Sequence, residues 1–213
     1  MVFARLLAIV GREPAFETGL LLAGAVDVND VRRQLSRWVK AGRLYQLRRG
    51  LYTLAPPFQK AKPHPFVLAN HMVRGSYVSC QSALAHFGLI PEYVPVTTSV
   101  TVGRPARWQT PLGAYEYHHI KTALLYGYRW MDLGGEQQGL LATPEKALLD
   151  LIHLQPGGAT PGYLRELRLQ GLERLNLDEL ARQAALAFSP KLRRAATLVA
   201  QLARDQAQEY VTL

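Results

Sequence analysis

At 213 residues, 48% of them hydrophobic and 19% charged, the chain has enough apolar side chains for a sizeable core, and its apolar runs are too short to cross a bilayer. A single cysteine, Cys80, excludes an internal disulfide and a thiolate zinc site and reads as a small buried hydrophobe. The net charge of +9 is uneven: residues 1–60 hold ten basic against four acidic side chains, a surplus that suits a polyanion partner or a merely basic, solvated surface.

Residues 2–10 read as a helix with Phe3, Leu6, Leu7 and Val10 on one side, ended by Gly11 and Pro14. No small-residue cleavage site follows this stretch, so the expected location is the cytoplasm, with no membrane partner. Residues 18–24 are a second short helical piece closed by Gly24, and Asn29 is the expected N-cap of a third helix. In that helix Val31, Leu35, Trp38 and Val39 recur at i, i+4, i+7 and i+8, a stripe that packs on the first two helices until Gly42 stops it. Two strands over 44–48 and 51–54 then join tightly around Arg49 and Gly50. Three helices followed by a hairpin make a winged helix-turn-helix, assigned to residues 1–55.

The run APPFQKAKPHP carries four prolines, which favour extended backbone and oppose helix and sheet, so residues 56–65 are read as a linker. Residues 66–213 are expected to form a larger mixed α/β domain with a helical C-terminal third. Within it, 66–73 reads as a helix, SYVS as a short extended piece and 81–87 as a helix ended by Gly88. The β-branched run 94–103 and the segment AYEYHHI over 114–120 read as strands, with one or two more between Ala123 and Leu141 around the turn at Gly134 and Gly135. A cap residue followed by proline, at Thr143 and Pro144, Thr160 and Pro161, and Ser189 and Pro190, marks three helix starts. The last helix runs to about Tyr210 with Leu192, Ala196, Val199, Leu202 and Ala203 on one face. The fold class is α+β, without internal repeats.

With the apolar stripe of the third helix facing inward, Arg32, Arg33, Ser36, Arg37 and Lys40 occupy its outward face, as on a recognition helix entering the major groove. Arginine there can offer two parallel donors to guanine, while lysine and serine more often hold phosphate. Arg48 and Arg49 at the hairpin tip lie beside the neighbouring backbone or minor groove, with Gly50 supplying the positive φ of a tight turn. These seven residues are the expected DNA contacts. The competing reading of Arg33 and Arg37, four apart, is a solvated helix face, and Tyr45 and Tyr52 are read as packing across the hairpin.

The second domain offers little chemistry. His118 and His119, adjacent in a strand, point to opposite faces and cannot share a metal. Ser82 and His86 are one helical turn apart but lack an orienting acid and an oxyanion hole. Glu145, Lys146 and Asp150 resemble the carboxylate and lysine set of metal-dependent nucleases with the wrong spacing. Glu145 is expected simply to favour the helix dipole. Asp150, flanked by Leu148, Leu149, Leu151 and Ile152, is expected to pair structurally, with His153 or an arginine, rather than to catalyse. No catalytic residue, cofactor or metal is therefore expected. Lys191, Arg193 and Arg194 open the last helix against its dipole, as a solvated end or as cations held by an acidic partner or DNA.

Three blocks, VRRQLSRWVKAGRLYQLRRGLYTLA, YVSCQSALAHFGLIPE and LLATPEKALLDLI, in this order between Val31 and Ile152, resemble the AbiEi family of type IV antitoxins and their stand-alone relatives. The resemblance implies an N-terminal winged helix-turn-helix that represses its own operon by binding inverted repeats in double-stranded DNA. It implies a second domain that counters a nucleotidyltransferase-type toxin, directly or indirectly. It carries DNA contact onto Arg32, Arg33, Arg37, Lys40 and Arg49 and adds no catalytic residue. Two alternatives stand beside it: a stand-alone transcriptional regulator with a ligand-sensing or oligomerisation domain, and an enzyme such as a nuclease delivered by a DNA-binding domain.

Overall fold

A computed structural model describes residues 2–22 and 27–211 of the chain. The N-terminal part runs α1 (Phe3–Val10), β1 (Phe16–Glu17), a 3-10 turn (Thr18–Leu21), α2 (Val28–Lys40), β2 (Leu44–Arg48) and β3 (Leu51–Leu54). The three strands form an antiparallel sheet in the order β1-β3-β2, the helix, helix, hairpin order of a winged helix-turn-helix. Its core gathers Leu6 and Val10 of α1, Val31, Leu35 and Trp38 of α2, and Phe16, Leu44, Tyr52 and Leu54 of the sheet, with Phe3 set edge-on to Trp38 at 5.3 Å.

Two local expectations are corrected here. The second helical piece is a 3-10 turn over Thr18–Leu21, because Phe16 and Glu17 pair with Tyr52 and Leu51 as a strand and the Thr18 N–H donates to the Gly50 carbonyl at 2.9 Å. Its expected end at Gly24 lies outside the described residues. The cap of α2 is Asp27, not Asn29: its carboxylate accepts from the Asn29 and Asp30 amides at 2.7 and 2.9 Å, and α2 starts at Val28.

The remainder is built on a six-stranded mixed sheet in the order β6-β7-β5-β4-β9-β8, with β4 Tyr77–Val78, β5 Val96–Thr101, β6 Ala106–Thr110, β7 Gly113–His119, β8 Tyr128–Asp132 and β9 Gln138–Ala142. The β5/β7 and β4/β9 pairs are parallel and the others antiparallel. Among the described residues six α-helices accompany it: α3 (Pro65–Met72), α4 (Cys80–His86), α5 (Pro144–Leu154), α6 (Pro161–Glu166), α7 (Leu177–Leu186) and α8 (Pro190–Val211). Strand β6 and helix α7 were not foreseen. The first alternates apolar and polar over ARWQT, a short period-2 signal, and α7 carries a legible start, Asn176 accepting from the Glu179 amide at 3.0 Å. None of the helices among the described residues is long and apolar enough to cross a membrane.

Both sheet faces are covered. Tyr77, Val100 and Ala142 face α4, α5 and the C-terminal helices, whose Leu148, Ile152, Leu180, Leu192 and Val199 complete that core. Val78, Tyr115, Tyr117 and Leu141 face the other way, onto Leu68, Ala69 and Met72 of α3 and onto Ala15, Leu47 and Leu51 of the winged unit. Burying each large side chain of this second cluster contributes about 1.5–3 kcal/mol relative to leaving it in water, so the winged unit is seated on the sheet by apolar packing. The proline-rich run is pinned at both ends. Phe58 stands edge-on to Phe3 at 4.9 Å, and the His64 N–H and Lys62 carbonyl both bond the Gln137 side chain, at 2.7 and 3.0 Å.

Two tyrosines of this second cluster make a test of the packing. The Tyr117 hydroxyl donates to the Ala69 carbonyl at 2.7 Å, while the equally buried Tyr115 hydroxyl has no partner among the described residues. In urea unfolding, Tyr117→Phe is expected to cost about 1 kcal/mol, and Tyr115→Phe to be neutral or to stabilise by up to about 1 kcal/mol.

Candidate nucleic-acid interface

Helix α2 is amphipathic because its apolar residues recur at helical spacing. Val31, Leu35 and Trp38 are at most 4% exposed, and Arg32, Arg33, Ser36, Arg37 and Lys40 lie on the open side. Arg32, Ser36 and Lys40 form one i, i+4 row and Arg33 and Arg37 a second beside it. Thirteen residues give a rod about 20 Å long, of a width that the major groove admits. Asp27 and Asp30 stand at its positive end and Arg37 and Lys40 at its negative end, each complementing the dipole. Asp30 also pairs with Arg33, one turn on, an i, i+3 partner that went unread in the sequence. Both side chains are about two-thirds exposed, so the pair is weak and open to exchange for a phosphate.

The hairpin separates its two arginines. Arg49 stands at the tip, and the Gly50 φ of 80° closes the turn, whose carbonyl is held by the Thr18 amide at 2.9 Å and hydroxyl at 3.4 Å. Arg48 is turned the other way. A bulge between Gln46 and Arg48 sets Arg48, rather than Leu47, opposite Leu51, and directs its guanidinium under the wing. There its Nε donates to the Met72 carbonyl at 2.7 Å, and Glu17, shared with Arg74, lies 3.5 Å away. Arg48 thus joins the winged unit to α3, and its guanidinium is engaged within the chain rather than free at the wing tip. Arg43, exposed just past α2, lies over the Phe3 ring at 5.1 Å. Tyr52 stacks on Phe16 and is not opposite Tyr45, whose cross-strand neighbour is Thr53.

The candidate chemistry of the second domain resolves into structural contacts. Lys146 is the partner of Asp150, in place of the expected His153 or arginine, because one helical turn brings them together; they are 2% and 1% exposed. The other carboxylate oxygen accepts from Ser79 Oγ at 2.7 Å and the Tyr77 hydroxyl at 3.0 Å, and the ammonium sits over the Tyr126 and Tyr77 rings at 4.9 and 5.8 Å. Burial, with Asp150 adding to it, pushes the Tyr77 hydroxyl far up and keeps it a donor. Glu145 is buried and accepts from the Asn176 amide at 2.9 Å, tying α5 to the start of α7, a contact the dipole reading did not contain. Cys80, 1% exposed, opens α4 at φ 53°, and burial raises its thiol. The Ser82 hydroxyl is taken by the Val96 carbonyl and Thr98 amide. Lys191 caps α5 through the His153 and Gln155 carbonyls at 3.0 and 2.7 Å, while Arg193 and Arg194 are exposed.

No family model matches the chain, and no curated protein matches it.

The closed Lys146 and Asp150 centre predicts a non-additive mutant pair. Asp150→Ala, which strands a buried ammonium, is expected to lower stability by about 3–5 kcal/mol, and Lys146→Met with Asp150→Leu to recover part of that loss in denaturant unfolding, the remainder being the Tyr77 and Ser79 hydroxyls left without their acceptor.

Proposed function

We propose that this chain binds double-stranded DNA through the winged helix-turn-helix and represses transcription from its own promoter. The observation that carries the reading is the open face of α2, where Arg32, Arg33, Ser36, Arg37 and Lys40 stand together opposite the buried Val31, Leu35 and Trp38. Arg49 adds a cation at the wing tip, beside the strand that flanks a helix seated in the major groove. Arginine forks in such a helix read guanine edges, and the lysine and serine fix the register on phosphates.

The reading extends to an antitoxin of a type IV system that counters a nucleotidyltransferase-type toxin. Its support is the three sequence blocks that resemble the AbiEi family, and DNA binding does not depend on it. In this reading the second domain works by contact and not by catalysis, in keeping with the burial of Lys146 and Asp150.

Fluorescence anisotropy with a labelled duplex from the region upstream of the gene tests the first part. Affinity is expected to fall with salt, and Arg37→Ala with Lys40→Ala to reduce the log–log slope by about 0.9 for each phosphate that is no longer neutralised. Arg48→Ala is expected to lower the unfolding midpoint with little change in that slope. Salt-insensitive binding, or none, would remove the DNA reading. Growth on co-expression with a nucleotidyltransferase-type toxin encoded beside the gene tests the second part, with rescue expected and unrelieved toxicity counting against it.

A further inference from the structure

On the helical face of the sheet, between β5, β7 and the end of α6, lies an open groove of about 500 Å³, within the size range of small-ligand sites. Thr98 of β5 and its cross-strand neighbour Glu116 of β7 form the floor with His118. Glu166 of α6 stands on one side, and Glu92 and Tyr93 form a rim, the tyrosine 88% exposed.

Three features single out this groove. Its lining carries three carboxylates, from three separate segments, with no lysine or arginine, in a chain whose net charge is +9, and the one titratable base among them is His118, whose Nε2 lies 3.7 Å from Glu116. Thr98 is 7% exposed, and its amide and carbonyl are engaged by Ser82 and Ser79, yet its hydroxyl makes no hydrogen bond among the described residues. Unlike the enclosed hydroxyls of Ser99 and Tyr115, it is open to accept from a ligand on the floor of the groove. Finally, no three acidic, histidine or cysteine side chains among the described residues converge as a metal-ligand set. The three carboxylates come from three separate segments of the chain, a lining that an organic cation with more than one N–H donor can meet at more than one point.

We propose that the groove binds a small organic cation, a compound with guanidinium or alkylammonium groups. Glu92, Glu116 and Glu166 neutralise its charge, the Tyr93 ring covers it by a cation–π contact, and the Thr98 hydroxyl accepts one of its N–H bonds. The site is separate from the face of α2, and its existence does not rest on DNA binding.

Calorimetric titration of the full chain tests the proposal, with agmatine and spermidine as probes and neutral butylurea as control. Saturable one-to-one binding of at least one probe is expected, and none of butylurea. Glu92→Gln with Glu166→Gln, both at exposed positions where the fold is not at stake, is expected to weaken binding roughly tenfold, the effect of two partly screened ion pairs. Thr98→Val, which keeps the side-chain size, is expected to weaken it about fivefold while the unfolding midpoint stays level or rises. The proposal is overturned if neither probe saturates or if affinity is the same in the carboxylate variant. An unchanged affinity in Thr98→Val would place the cation outside the groove and overturn it equally.

Discussion

The architecture depends on a sheet whose two faces must both be kept from water. Tyr77 and Val78, neighbours in the two-residue strand β4, point to opposite sides and belong to different cores. On the Tyr77 side the cover is supplied by α4, α5 and the C-terminal helices. On the Val78 side α3 alone does not suffice, and the winged unit completes the cover with Ala15, Leu47 and Leu51. Its remaining apolar surface closes around Trp38, which leaves the cationic side of α2 facing outward. The open face therefore follows from what the rest of the winged unit has to bury.

Polar contacts then fix the register that apolar packing alone leaves loose. Beneath the wing, Arg48 spans from Glu17 to the Met72 carbonyl, a charge-assisted link between two units that Arg74 with Glu17 and Arg12 with Glu136 also join. On the other face Asp150 gathers Lys146, Ser79 and the Tyr77 hydroxyl, so that α5, β4 and the start of α4 can meet in one arrangement only. Such a centre contributes little net stability when complete and costs several kcal/mol when one member is missing. Its effect is to specify the packing of α5 on the sheet. The same burial that makes it unforgiving also closes it to solvent, whereas the carboxylates around Thr98 remain open.

Much of the winged unit was legible in the sequence. The stripe of Val31, Leu35 and Trp38 and the turn at Arg49 and Gly50 are local signals, and one helix or hairpin suffices to express them. The cap and proline pair at Thr143 and Pro144 was equally local, and the Thr143 side chain accepts from the Lys146 amide as such a cap should. The misread elements had competing local preferences. Residues 18–21 became a tight turn because the preceding strand and the Gly50 carbonyl claimed their neighbours, and Asp27 took the cap because an ionised carboxylate accepts two amides from one position.

By itself, the sequence determined which side of α2 is apolar and which is cationic, because a 3.6-residue period converts spacing directly into faces. It also determined the α+β class and most of the order of elements, β6 and α7 excepted, from strand alternation and helix caps that act over a few residues. Only the tertiary structure decided that Arg48 holds the two units together while Arg49 stays at the wing tip, since a one-residue bulge reverses a side chain and needs β3 to exist. Only the tertiary structure paired Asp150 with Lys146 under Tyr77 and Ser79, and set Glu92, Glu116 and Glu166 around one groove. Those groupings join residues up to 74 positions apart, and what brings them together is the burial of a sheet whose strand order differs from the chain order.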